Sequence, residues 1–146
     1  MKLLITSDLH GKIERLKKVI QKHQDVDLHL NAGDMCIPLQ QFQSDVISVK
    51  GNNDYFIDLP NQRILTHGHI RILVTHGHHE RVKMTMRQLK NKARQAKVHI
   101  CIFGHTHQRH QSIEDGIMFI NPGALGDHQQ SYAIYEEGIL TFHTLD

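Results

Sequence analysis

Cysteine is nearly absent from this 146-residue chain: Cys36 and Cys101 are the only two, and they form no Cys-x-x-Cys pair. That spacing excludes a thiolate zinc site and argues against a disulfide scaffold. With no secretion signal, both are expected to be free thiols in a reducing cytoplasm. No apolar run approaches the roughly 18 residues that a membrane span needs. The N-terminus, Met1-Lys2-Leu3-Leu4-Ile5-Thr6-Ser7-Asp8, has too short an apolar stretch for a signal peptide and reads as a buried first strand. Linkers rich in Pro, Gly or Ser, internal repeats and low-complexity tracts are missing, so one domain over residues 1–146 is the simplest organisation. A formal charge of +2 is too small to imply nucleic acid binding by itself. The expectation is a cytoplasmic protein with no membrane association and no specific nucleic acid partner.

Histidine, in contrast, is abundant: 14 residues against 17 Lys plus Arg, spread along the chain rather than gathered in a tag. It is the commonest metal ligand. Apolar spacing at Ile13, Leu16 and Ile20 predicts a helix over 12–23, after a strand at Lys2 to Thr6. Strands are predicted at Val26 to Leu30 and Asp45 to Val49, with 35–44 mainly loop. A hairpin is expected from 63–65 and 70–74 through His67-Gly68, followed by a long helix over 80–97 with Val82, Met86, Leu89, Ala93 and Ala96 on one face. Its basic residues, such as Arg81 and Lys83, read first as a solvated face and second as an attractor of anionic substrates. Strands near 98–103, 108–113, 117–120, 131–135 and 140–143 complete the pattern, with turns at Asp115-Gly116 and Glu137-Gly138. Strand-helix alternation followed by hairpins suits an α/β (α+β) sandwich of two sheets with helices outside.

Ligand-type residues recur where these strands end: Asp8 and His10, Asp34, Asn52 to Asp54, His76 to His79, and His105 with His107. Ends of parallel strands converge on one edge, where sites are built. Carboxylate, amide and imidazole donors without thiolates suit Mn²⁺, Fe, Ni²⁺ or Zn²⁺. Seven of them, Asp8, His10, Asp34, Asn52, His76, His105 and His107, exceed what one tetrahedral ion needs and match two ions sharing a carboxylate. Taken singly, each has a plainer reading. Asp8 could be a charge at a helix N-terminus, Asp34 and Asn52 turn residues, and His105 and His107 surface loop residues. His79 could cap the following helix, and Asp54 is read as supporting a ligand rather than being one.

Asp8-x-His10, Gly33-Asp34, Gly51-Asn52-x-Asp54, Thr75-His76-Gly77-His78 and Gly104-His105-Thr106-His107 resemble the ordered motifs of the calcineurin-like metallophosphoesterase superfamily. The small phosphodiesterases of the YfcE type are the nearest resemblance, extending to Asn121-Pro122-Gly123-Ala124. The resemblance implies a four-layer αββα sandwich, two mixed β-sheets flanked by helices. It places Asp8, His10 and His107 on one divalent ion, Asn52, His76 and His105 on another, and Asp34 between them. Two Mn²⁺ ions, or Ni²⁺, Fe²⁺ or Zn²⁺, would then activate a bridging water and clamp a small phosphodiester for in-line displacement. Many members carry a histidine where this chain has Asn53, which is no acid near neutral pH. Losing general acid assistance can cost about 10²–10⁴ in rate, so good leaving groups are expected to be preferred. His78 is the candidate substitute, as phosphate contact or proton donor, and Asp34, Asn52 and His78 are the expected catalytic set. A phosphomonoesterase, and a non-catalytic interaction module of the kind one superfamily relative supplies to a membrane coat, remain alternatives. That relative departs from the metal motif, whereas all seven positions are filled here. The short 35–44 loop suggests an open site, and a homo-oligomer stays open.

Overall fold

The computed structural model describes residues 1–38, 41 and 45–146, so the loop read over 35–44 lies partly outside the described residues. The elements run β1 (Lys2–Thr6), α1 (Ile13–Lys22), β2 (Leu28–Asn31), β3 (Val46–Ser48), β4 (Gln62–His67), β5 (Ile70–Thr75) and α2 (Arg87–Ala96). Then follow β6 (Ile100–Ile102), β7 (His110–Glu114), β8 (Ile117–Asn121), β9 (Ser131–Glu136) and β10 (Ile139–Thr144). One sheet has the order β10-β9-β1-β2-β3 and the other β4-β5-β6-β8-β7. Both are mixed. Strands β1, β2 and β3 are parallel, as are β5, β6 and β8, and antiparallel neighbours close the edges.

Alternation along each central strand explains the layering, because successive side chains point to opposite faces. Leu3 and Ile5 of β1, Ile72 and Val74 of β5, and Ile100 and Ile102 of β6 fill the space between the sheets. Leu4 turns the other way, onto Leu16 and Val19 of α1. Leu73 and Cys101 likewise face Leu89 and Ala93 of α2. Three apolar layers thus separate four structural ones, as the sandwich expectation requires. Helix, sheet, sheet and helix stack in that order. No helix among the described residues is long and apolar enough to cross a membrane.

One expected element is shorter than read. Helix α2 begins at Arg87, not at residue 80, and the chain before it runs in turns. Arg81 has φ 56°, a left-handed conformation that no helix interior accepts. Glu80 turns inward, is 3% exposed, and is held by the Thr75 hydroxyl at 3.2 Å and by the Lys92 ammonium. Val82 donates its amide to Gly77 O at 3.2 Å and packs in the same core as Leu89. Apolar spacing therefore named residues that do reach the core, but tertiary contacts rather than a helix bring Val82 there. His79 is exposed and lies well before the helix, so it does not cap it. Several of the basic residues are paired: Lys90 with Glu114, and Arg94 with Asp115.

Candidate metal centre

The C-terminal ends of the parallel strands meet at one edge of the sandwich, where main-chain bonds stitch the following loops together. Asp8 N donates to Gly33 O at 2.9 Å and His10 N to Asp34 O at 3.0 Å, which continues the β1–β2 pairing past the sheet. Gly104 N donates to His76 O at 2.9 Å in the same manner beyond β5 and β6. Two further bonds cross between the sheets. The His105 amide donates to Asp8 Oδ2 at 3.1 Å, and His76 Nδ1 meets Ala32 O at 2.7 Å. That carbonyl can only accept, so His76 Nδ1 carries a proton and Nε2 is the ring nitrogen aimed into the site, the one that would ligate an ion.

Five of the seven expected ligands lie on left-handed backbone: Asp8 (φ 54°), His10 (φ 51°), Asp34 (φ 60°), His105 (φ 71°) and His107 (φ 64°). Each such residue costs of order 1–3 kcal/mol and persists only where surrounding structure enforces it. The glycines of the motifs leave the room. A Cβ on Gly51 would lie 2.0 Å from Asp34 Oδ1, and one on Gly104 would lie 2.1 Å from Ser7 Oγ and 2.7 Å from Asp8 Oδ2.

The donor atoms converge. Asp8 Oδ1 is 3.3 Å from His107 Nε2, 3.6 Å from His10 Nε2 and 3.9 Å from His76 Nε2. Asp34 Oδ2 is 3.3 Å from His76 Nε2, and the His10 and His107 Nε2 atoms are 3.2 Å apart. Two groups of metal-ligating reach result, Asp8-His10-His107 and Asp8-Asp34-His76. His105 joins through its ring, 5.1 Å from that of His76. Asp8 is fully buried, yet its Oδ1 and His76 Nε2 have no hydrogen-bond partner. A buried carboxylate oxygen without a partner is costly, and this pair of orphan acceptors is what a divalent cation would satisfy. The donor set therefore fits such an ion.

Charge in the cluster follows its geometry. Burial opposes ionisation of Asp8, but the imidazoles of His10 and His107 close to Oδ1 and the field of His76 overcome it and hold the carboxyl below its usual range. Asp34 is lowered in the same way, by His76 and by Asn53 against burial. His107 is raised by the Asp8 carboxylate 3.3 Å from its Nε2, whereas His105 is pushed down to about 4 by burial and by His76.

Not every expected residue is brought together. Asn52 is exposed and makes no hydrogen bond among the described residues. Its neighbour Asn53 is the one that touches the cluster, with its amide on Asp34 Oδ1 at 2.8 Å and Nδ2 on Asp34 Oδ2 at 2.9 Å. His78 sits beside the cluster with a buried, unpartnered Nδ1 and ring centres 5.3 Å from His76 and 4.0 Å from His79. Burial and then His79 lower its pKa, so its neutral form is favoured. Asp34, Cys36 and Asp54 form a third close group. Asp54 is committed elsewhere, accepting main-chain amides from Cys36, Asp34 and Gly51 at 2.9, 2.9 and 2.7 Å. It ties the two loops that carry Asp34 and Asn53.

Other supports escaped the sequence reading. Ser7 Oγ donates to Asp8 Oδ2 at 2.6 Å, which aims Oδ1 at the site. Asn31 Oδ1 accepts the Gly33 amide at 2.8 Å and shapes the turn before Asp34. Asn121 donates to Gly104 O at 3.1 Å and to Thr106 Oγ1 at 3.0 Å, so the Asn-Pro-Gly segment holds the His105–His107 loop. The partners of Asn121 lie in a distant segment, and those of Ser7 and Asn31, though one and two residues away, are chosen by the local backbone turn, so spacing could not reveal them.

Comparison with known proteins gives the chain its family. Residues 1–140 match the family model described as the calcineurin-like phosphoesterase superfamily domain. The chain is 34% identical over 140 residues, 92% of its length and 83% of the relative's, to the probable metallophosphoesterase YsnB of Bacillus subtilis. It is 26% identical over 144 residues to a phosphodiesterase of Methanocaldococcus jannaschii, covering 84% of this chain and 83% of that one. The solved structure of vacuolar protein sorting 29 from Cryptosporidium parvum superposes with TM-score 0.78 at 18% identity, over 99% of this chain and 96% of that one. That last likeness is one of fold alone.

Proposed function

Because the chain belongs to the calcineurin-like phosphoesterase superfamily, we propose that it is a dinuclear metal-dependent phosphodiesterase acting on small phosphodiesters. The observation that carries this reading is the convergence of Asp8 Oδ1 and His76 Nε2, both buried and both without a partner. On this reading Asp8, His10 and His107 hold one ion, and His76, His105 and Asn52 the other, with Asp34 shared. Asn52 is included on its motif position, since no contact joins it to the cluster. Mn²⁺ is the proposed metal, and Ni²⁺, Fe²⁺ or Zn²⁺ suit the same donors. When bound, the ions would supply Lewis-acid activation of the attacking water and neutralise charge on the phosphoryl oxygens.

The protein's own part is positioning. Ser7 and the His105 amide fix the Asp8 carboxylate, and Ala32 O fixes the His76 tautomer. Asn53 holds Asp34 and offers no proton to a leaving group. His78, disfavoured as a cation, is read as a hydrogen-bond contact to the phosphate more than as an acid. The M. jannaschii relative's name supports the diester over the monoester. The likeness of fold to vacuolar protein sorting 29 favours the second reading, an interaction module, but the filled ligand positions weigh against it.

The test is to strip metal, resupply Mn²⁺, and assay bis(p-nitrophenyl) phosphate against p-nitrophenyl phosphate. Faster hydrolysis of the diester is expected. Hydrolysis of the monoester alone would make the protein a phosphomonoesterase, and bound metal with neither activity would make it a module. Asp34→Ala should lose bound metal and more than nine-tenths of the rate. A variant keeping one-tenth or more, about 1.4 kcal/mol or less in barrier, contradicts a shared Asp34.

A further inference from the structure

Beside the metal cluster lies a cavity of about 720 Å³, lined by Thr106, His107, Gln108, Arg109, Asp127 and His128 among others. That is the size of a small-molecule site. It adjoins the ion cluster at His107, whose Nε2 lies 3.3 Å from Asp8 Oδ1 and whose Nδ1 lies 3.8 Å from Asp127 Oδ2 in the groove. Its cation is fixed in place. Arg109 Nε donates to Ser131 Oγ at 2.7 Å, and Nη2 donates to His143 O at 2.8 Å and to Thr144 Oγ1 at 3.1 Å. The guanidinium also lies over the Phe142 ring, 5.4 Å from its centre. Nη1 has no partner among the described residues. An arginine held this way loses little side-chain entropy when it binds an oxyanion. The one carboxylate of the groove is otherwise engaged: Asp127 Oδ1 accepts the Gln129 amide at 2.9 Å, and Oδ2 lies 3.8 Å from His107 Nδ1.

A second, independent observation concerns the leaving group. Asn53 stands where a proton donor would serve, and both its nitrogens are bonded to Asp34. An oxygen that departs here must leave as an anion, which a phosphate does readily and an alkoxide does not.

We propose that this groove is a subsite for a second phosphate, and that the preferred substrate class is a phosphoanhydride, cleaved between the phosphate at the ions and the phosphate at Arg109. The proposal rests on the phosphoesterase reading and narrows it. One water is consumed: its oxygen forms the new bond to phosphorus, and the bridging P–O bond breaks with its electron pair on the departing phosphate. The protons of the water pass to product oxyanions and solvent. Arg109 meets the negative charge where it appears, with Gln108 and His128 as further hydrogen-bonding groups.

The full chain, loaded with diamagnetic Zn²⁺, would be titrated with inorganic pyrophosphate and with inorganic phosphate, by calorimetry and by amide chemical shifts, with metal content checked after each titration. Pyrophosphate should bind roughly tenfold tighter than phosphate, the lower end for a hydrogen bond to a charged group. It alone should move the amide signals of Gln108, Arg109 and His128. Arg109→Gln should bring the two affinities within threefold. No preference for pyrophosphate, or shifts confined to the ligand loops, overturns the subsite. If Arg109→Gln does not fold, the double variant Gln108→Ala/His128→Ala carries the test, and a preference unchanged within threefold overturns the proposal. Because binding is read directly, a protein that binds pyrophosphate in the groove and hydrolyses no phosphoester would refute the phosphoesterase reading and leave the subsite standing.

Discussion

Replacing His29 with glutamine should flatten the acid side of the stability profile. His29 lies on β2, is 5% exposed, and its Nε2 is 2.7 Å from Thr6 Oγ1. Thr6 Oγ1 accepts Asn31 Nδ2 at 2.9 Å and has one hydrogen of its own, which a neutral His29 unprotonated at Nε2 can receive. Burial pushes the imidazole down to about 3. In the unfolded chain it titrates near 6.5. Between those values the unfolded state holds a proton that the folded state lacks, so folding stability is intact above about pH 6.5 and is lost as pH falls through that window. At pH 4.5 the gap is about two pH units, or roughly 2–3 kcal/mol at 1.36 kcal/mol per unit. Glutamine keeps an acceptor for Thr6 but does not titrate. Urea unfolding of chelator-treated wild type and His29→Gln at pH 7.0 and 4.5 isolates the effect, since every other histidine is common to both proteins. Wild type should lose about 2–3 kcal/mol more than the variant between the two pH values. Equal losses would show that His29 is protonated within the fold, and the Thr6–His29–Asn31 arrangement would be wrong.

Three further outcomes are expected. Gly104→Ala should drive Ser7 and Asp8 apart from the His105 loop, lowering metal affinity by about 10–100-fold and stability by about 1–3 kcal/mol; metal titration and thermal melting read both. Arg81→Gly should stabilise the protein by up to about 1 kcal/mol in urea unfolding, because the native φ is left-handed; destabilisation of that size would instead indicate a helix at residue 81. His78→Ala should slow hydrolysis of diesters with good and poor leaving groups alike, as loss of a phosphate contact does; a loss confined to poor leaving groups would make His78 a proton donor, and unchanged rates on both remove it from the reaction.

Much of the fold was legible because each central strand alternates between two buried faces and each helix carries one apolar stripe. Leu3, Leu4 and Ile5 suffice to place β1 between two layers, and the Gly-rich turns at residues 115–116 and 137–138 mark the closing hairpins. The same apolar spacing misled at Val82, since a turn packed on Gly77 and a helix deliver that side chain to the same core. At the site, residue type and order were enough to nominate Asp8, Asp34, His76 and the His105–His107 pair. What could not be read was contact across segments. Asn53 rather than Asn52 touches Asp34, and Asn121 acts on Gly104 O and Thr106 Oγ1, brought near by the pairing of β6 with β8. Backbone conformation was equally hidden, because aspartate and histidine tolerate left-handed φ without announcing it.

The left-handed ligand residues sit on a seam between two sheets that close over each other. Their conformations are imposed by bonds such as His105 N to Asp8 and His76 to Ala32, which exist only while the seam is shut. A momentary parting of the sheets would let Asp8, His10, Asp34, His105 and His107 relax together and scatter the donor set. Release of a bound ion then becomes a breathing event of the whole edge rather than the detachment of one side chain after another. Isotope exchange of the ions should accordingly keep pace with hydrogen exchange at the His105 amide, whose bond to Asp8 Oδ2 crosses the seam, and substitutions that loosen the seam should speed both together.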